Sequence, residues 1–316
     1  MSDDNNKYFA AHKEITSVAR LSIYSNTFLL FMKLLIGLFL GSISVLSEAL
    51  HSGIDLLAAI IANYSVRKAG KPADEIHKFG HGKFENVSGT VEAILIFVAA
   101  VIILYEAVLK IINKEPVNYD LIGAGIAIMG ISTVVNFYVS AKIMKVAKKA
   151  ESIALEADAY HLTTDVYTSL GVFIGLILIQ LTKNPIFDPV MAIIVALIIL
   201  KASYDLTKRS VSGLMDMKLS DKEEDIIKSI IAEHYSKYAE YHDLRTRISG
   251  AQRFVDLHLV VPKNQHVADA HEFCDHLEKD IKEKIPNLSI LIHVEPCEAE
   301  CEICKKLDVC EEPQHF

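Results

Sequence analysis

Two short stretches set a histidine four residues before an aspartate inside otherwise apolar sequence: "SEALHSGID", with His51 and Asp55, and "HLTTD", with His161 and Asp165. Positions i and i+4 share one face of a helix, so each pair projects together. If the two faces meet, two imidazoles and two carboxylates converge. That is a nitrogen and oxygen set of the kind tetrahedral Zn2+ accepts, with bonds of about 2.0–2.2 Å. The plainer reading of one such pair is a hydrogen-bonded structural contact or a wet helix end. Two copies weigh against it, because an aspartate at the centre of a membrane helix costs about 2.5–3.5 kcal/mol even on the lenient insertion scale. Glu48 and Asp158 each stand three residues before a histidine of these pairs and are expected to tune charge rather than to ligate. Lys33, Glu92 and Glu106 are expected to snorkel or to line water near span ends.

The elements that must position these residues are membrane helices. The chain of 316 residues is 51% hydrophobic, and its apolar residues crowd between about Ser22 and Asp205. A crossing helix needs about 20 mostly apolar residues. Six segments qualify: Ser22 to Leu40, Ser42 to Val66, Val87 to Ile111, Leu121 to Ala141, Leu155 to Leu181 and Pro189 to Leu206. Gly41 is the expected turn between the first two. Open strands are excluded at this depth because each backbone polar group needs a partner within the protein. Arg67, Lys68, Lys71, Lys78 and Lys83 follow the second span, and Lys142, Lys145, Lys148 and Lys149 follow the fourth. The opposite loops offer little beyond Lys114 and Lys183. The positive-inside rule then puts both termini in the cytoplasm. The polar start "MSDDNNKYFAAHKE" lacks a signal peptide's basic start and short apolar core, so the spans themselves are expected to drive insertion. A net charge of −8 argues against nucleic acid as a partner.

After about Met215 the pattern becomes that of a soluble domain. Helical spacing from Asp221, strand signals over His242 to Gly250 and Arg253 to Val261, a second helix over His266 to Ile285 and a last strand over Leu288 to Glu295 give the order α-β-β-α-β. The expected fold is a polytopic α-helical membrane protein with six transmembrane helices. It carries a C-terminal cytoplasmic α+β domain of ferredoxin or metallochaperone type. The expected divisions are residues 1–212, 213–296 and an acidic cysteine-rich tail at 297–316. In that tail Cys297, Cys301, Cys304 and Cys310 could close a thiolate site for zinc or another soft metal, or could be reduced thiols on an irregular end. Cys274 reads as a packing residue.

These residues resemble the cation diffusion facilitators, zinc-transporting metal/proton antiporters, along nearly the whole chain. "SISVLSEALHSGID", "KPADEIHKFGHGKFE", "ADAYHLTTDVYTS", "LMDMKLSD" and "HDLRTRISG" are similar to the family's motifs; Glu48 departs from the usual Asp or Ala. The resemblance implies a transport site at His51, Asp55, His161 and Asp165, with histidine at 51 favouring zinc over cadmium or manganese. It implies a loop site at Asp74 and His81 with His77 as a third ligand, and an interdomain charge pair of Lys83 and Asp216. It also implies a cytoplasmic metal site at His242, His258, His271 and His293 with Glu295 where Asp is usual, in a homodimer. Zn2+ is then substrate and regulatory ligand, and no organic cofactor is implied.

Imidazoles must lose, and carboxylates must lack, a proton to bind metal, so metal and protons compete. A neutral cytoplasm favours loading and a more acidic far side favours release, which gives Zn2+ outward for H+ inward. Efflux of Fe2+, Co2+ or Mn2+ by the same mechanism is one rival; a membrane metal sensor that does not transport is another. A di-metal oxidase would need several converging Glu-x-x-His pairs, and the spans offer only Glu48 with His51. Without a His-rich loop between spans four and five, the expected home is a prokaryotic plasma (inner) membrane.

Overall fold

The computed structural model describes residues 2–40, 43–113, 122–182, 184, 186–235 and 237–297; side chains at 2–13, 37, 39–40, 43–48, 50–51, 122–126, 128, 172, 176, 180 and 188 are outside the description. Two compact units divide between Leu214 and Met215.

The first unit holds six long helices: α1 (Ser2–Leu40), α2 (Ile43–Ala69), α3 (Lys83–Asn113), α4 (Ile122–Ala150), α5 (Ile153–Thr182) and α6 (Phe187–Leu214). They stand where the six spans were expected, but α1, α4 and α6 outrun their apolar runs. Helix α1 starts at Ser2 rather than Ser22 because no proline or glycine precedes Gly37, so nothing breaks the helix where the apolar stretch begins. Among the described residues, four stretches are long and apolar enough to cross a membrane by composition alone: Glu14–Ile36, Lys83–Asn113, Ile153–Ile179 and Pro189–Leu214. Helices α2 and α4, with 27 and 29 residues, each rise about 40 Å or more at 1.5 Å per residue, beyond a hydrocarbon core of about 30 Å. Gly41, Lys114 and Lys183 lie outside the described residues.

The helices pair as α1 with α2, α3 with α6 and α4 with α5, and α5 touches each of the other five. Small buried residues explain how they approach so closely. Ala58, Ala59 and Ala62 on α2 and Ala154, Ala157 and Ala159 on α5 are buried, and membrane helices associate through such positions because lipid supplies no hydrophobic drive. At Gly213 on α6 the approach is tightest: a Cβ there would lie 2.0 Å from Asn86 Nδ2 and 2.8 Å from its Cγ on α3. Gly213→Val is therefore expected to destabilise the bundle by about 1–3 kcal/mol of overpacking, more than any gain in helix propensity. A lowered thermal-unfolding midpoint in detergent is the measurement.

The second unit runs α7 (Asp221–Glu233), β1 (Glu240–Ser249), β2 (Gln252–Val261), α8 (Val267–Lys284) and β3 (Leu288–Pro296), in the expected order. Ser220 and Glu223 close a capping box at the start of α7, and the His266 side chain caps α8. Strand β2 lies in the middle, antiparallel to β1 and parallel to β3, so α8 makes the crossover that a parallel pair requires. Alternation along β2 fixes the layers. Val255, Leu257 and Leu259 are buried with Ile227 and Ile231 of α7 and Phe273, Leu277 and Ile281 of α8. Phe254, Asp256 and His258, one residue out of phase, occupy the other face of the sheet.

Candidate metal centre

Inside the bundle, α2 carries Asp55 and α5 carries His161 and Asp165, all three buried. His161 Nε2 lies 3.0 Å from Asp55 Oδ1. Each of the three residues offers one ligand atom, and these atoms all lie within 4.8 Å of one another. Tetrahedral bonds of about 2.0–2.2 Å put neighbouring ligand atoms about 3.3–3.6 Å apart, so small side-chain movements close this group around one ion. His51 stands one turn before Asp55 on α2; its side chain is outside the described residues. Among those residues, His161 Nδ1 is buried with no hydrogen-bond partner. Asn26 Nδ2 reaches the Asp55 carbonyl at 3.4 Å.

The surrounding polar residues differ from expectation. Lys33 and Glu92 are buried rather than snorkelling: Lys33 Nζ donates to Ser52 Oγ at 2.9 Å, and Ser88 Oγ donates to Glu92 Oε1 at 3.1 Å. A hydroxyl on α2 for Lys33 and one a turn away on α3 for Glu92 make that burial tolerable. Glu106 is exposed. Asp158 accepts from Ser22 Oγ at 2.9 Å, which ties α5 to α1 one turn from His161. Sequence reading passed over Glu156 and Arg209, which pair through two bonds of 2.6 and 2.5 Å between α5 and α6. The available signal was an acid and an arginine near the ends of predicted spans, where a bidentate fork is the geometry that suits them.

In the loop between α2 and α3, Asp74, His77 and His81 offer ligand atoms that also lie within 4.8 Å of one another. The Asp74 side chain accepts from the amides of His77 at 2.6 Å and Ile76 at 3.0 Å. The His77 amide above all holds the Asp74 carboxyl below its ordinary range, so it stays anionic through neutral pH. His81 Nδ1 donates to the Pro72 carbonyl at 3.2 Å, because a carbonyl can only accept. In the neutral ring its Nε2 then turns a lone pair towards Asp74 Oδ2 at 3.2 Å, without the alignment of a hydrogen bond. A cation between them suits both groups.

On the face of the sheet opposite α7 and α8, His242 pairs across to His258, and His258 to His293. One row of three imidazoles results, with ring centroids 5.2 and 4.9 Å apart. Glu295 reaches all three: His258 Nδ1 donates to Oε1 at 2.9 Å, His242 Nε2 lies 3.4 Å from Oε2 and His293 Nε2 lies 3.7 Å from Oε1. The longer acid therefore still bridges. His271 does not join this row; it lies on α8, which packs on the opposite face, and its Nε2 is 3.6 Å from Asp275 Oδ2. Cys297 is buried at the end of β3, its amide donating to the Val261 carbonyl at 2.8 Å. Cys301, Cys304 and Cys310 lie outside the described residues. Lys83 Nζ donates to the Leu214 carbonyl at 3.4 Å, and Asp216 accepts from Arg247 at 3.3 Å.

Comparison with known proteins covers both units. The family description "Cation efflux transmembrane domain" matches residues 19–215, and "Cation efflux protein, cytoplasmic domain" matches residues 219–297. An uncharacterized transporter of Synechocystis is 36% identical over 82% of this chain and 83% of its own. The cation-efflux pump FieF of Cronobacter sakazakii is 29% identical over 86% of this chain and 89% of its own. A solved structure of CzrB in its Zn form is 38% identical over 25% of this chain and 90% of that one, with a TM-score of 0.24. Buried acids and a histidine gathered between two membrane helices, in a chain that aligns with such relatives over most of its length, lead to one conclusion: this is an integral membrane protein of the cation diffusion facilitator family of cation-efflux transporters.

Proposed function

We propose that the protein exports Zn2+ in exchange for protons by alternating access around His51, Asp55, His161 and Asp165. The observation that carries this reading is the buried convergence of Asp55, His161 and Asp165 from α2 and α5. Two carboxylates neutralise a divalent charge, and imidazole nitrogen favours zinc over the harder manganese. Each ligand must be deprotonated to bind. Loading is therefore favoured on a neutral cytoplasmic side, and protonation expels the ion on a more acidic side.

The same reading assigns the other clusters. Asp74, His77 and His81 form a loop site that meets metal outside the bundle. His242, His258, His293 and Glu295 form a regulatory metal site, and the chain works as a homodimer. The cysteines of the tail at 297–316 hold a soft metal ion. Both termini face the cytoplasm of a prokaryotic inner membrane.

The test is flux into liposomes containing the purified protein and a pH-sensitive dye. Zn2+ entering, with a matching alkaline shift in the lumen as protons leave, is expected. Zn2+ entry without a dye response defeats the exchange. Tight binding without entry makes the protein a sensor.

A further inference from the structure

We propose that the helical layer of the C-terminal unit carries a separate site for a divalent transition-metal ion of the Zn2+ class, held by His234, His276 and Asp280. Their ligand atoms lie within 4.8 Å of one another. His234 is the C-terminal cap of α7, while His276 and Asp280 stand one turn apart on α8. The "HLEKD" stretch thus repeats, outside the membrane, the histidine–aspartate spacing of the two spans.

The hydrogen positions make the case. His234 Nδ1 lies 2.9 Å from the Ile230 carbonyl, so it must carry the hydrogen. Its Nε2 then presents a lone pair in the neutral ring, and this atom faces Asp280 Oδ2 at 3.4 Å. His276 Nε2 faces the same oxygen at 3.6 Å. Both separations exceed the 2.7–3.2 Å or so of a good N–H···O hydrogen bond. They match the edge of about 3.3–3.6 Å that tetrahedral zinc imposes on its ligand atoms. A ligating imidazole whose other nitrogen is anchored to a carbonyl is the arrangement that metal sites use to fix ring orientation.

Packing holds the site in place. The His234 ring sits 6.0 Å from the Phe273 ring and 5.4 Å, edge-on, from His276. Side-chain exposure rises from 14% at His234 to 32% at Asp280 and 54% at His276, so the fourth coordination position faces solvent and takes water. The site is distinct from the histidine row, which occupies the other face of the sheet. An ion here ties the end of α7 to the middle of α8, and it binds whether or not the chain transports.

The test uses the full chain in detergent, stripped with EDTA and dialysed against Zn2+. Wild type is expected to retain one more Zn2+ per chain than His276→Ala or Asp280→Asn, the second of which keeps the shape of the side chain. Zn2+ is also expected to slow amide exchange around Ile230 to His234 at least about 10-fold in wild type and not in either variant. Equal metal content in wild type and both variants overturns the proposal. So does an exchange rate in wild type that Zn2+ leaves unchanged, since an ordinary ion pair between these groups would behave that way.

Discussion

Asp165→Ala is expected to reduce Zn2+ uptake into proteoliposomes at least about 100-fold, to the level of protein-free vesicles. Loss of even an outer partner of a metal ligand lowers affinity or activity by about 10–100-fold, and Asp165 offers its carboxylate directly beside Asp55 and His161. Its removal also leaves a divalent ion with one negative charge fewer in a buried site, where charge is hardest to hold without a partner. The loss should appear as flux and not as misfolding, because alanine is tolerated throughout α5, as Ala157 and Ala159 show. Wild-type elution on size exclusion together with absent uptake is the expected result. Undiminished uptake by this variant would remove the transport site from the account.

Arg253→Ala is expected to have the largest effect on stability in the C-terminal unit, about 3 kcal/mol. The buried Arg253 ties β2 to α7 and to the turn before β2: Nε donates to Glu223 Oε1 at 2.5 Å and Nη1 to the Ala251 carbonyl at 3.1 Å. Glu223 is itself half of the capping box, its other oxygen accepting from the Ser220 amide at 3.0 Å. Hydrogen bonds to charged groups contribute about 1.5–3 kcal/mol each, and truncation also leaves Glu223 without its counter-charge. Amide exchange in α7, measured on the full chain, should accelerate about 100-fold, since 1.4 kcal/mol is about one factor of ten. Exchange unchanged within a factor of three would show that α7 is held by its apolar face alone.

Much of this architecture was legible because membrane and sheet impose simple periods. The length of an apolar run marks a span, and alternation along Arg253 to Val261 marks which side of β2 is buried. The four-residue spacing put His161 and Asp165 on one helix face. What escaped was orientation about each helix axis. Nothing in the sequence says that Lys33 meets Ser52 or that Glu92 meets Ser88, since a polar residue reads the same whether it faces lipid, water or another helix. The start of α1 was missed because a polar stretch without glycine or proline stays helical well outside the apolar run. His234, His276 and Asp280 were missed because two of them share a helix while the third arrives from a different element, and no spacing records that meeting.

On the proposed reading, in which these clusters hold metal, the anchoring of the imidazoles sets how long each site keeps its ion. His81 is braced by the Pro72 carbonyl, while His161 Nδ1 has no such brace among the described residues. Because a brace of this kind is worth about 10–100-fold in affinity, an unbraced ring lets go sooner by up to the same factor. For a carrier, quick departure is an asset: dwell time at the crossing point limits turnover, whereas an ion lingering in the loop delays nothing.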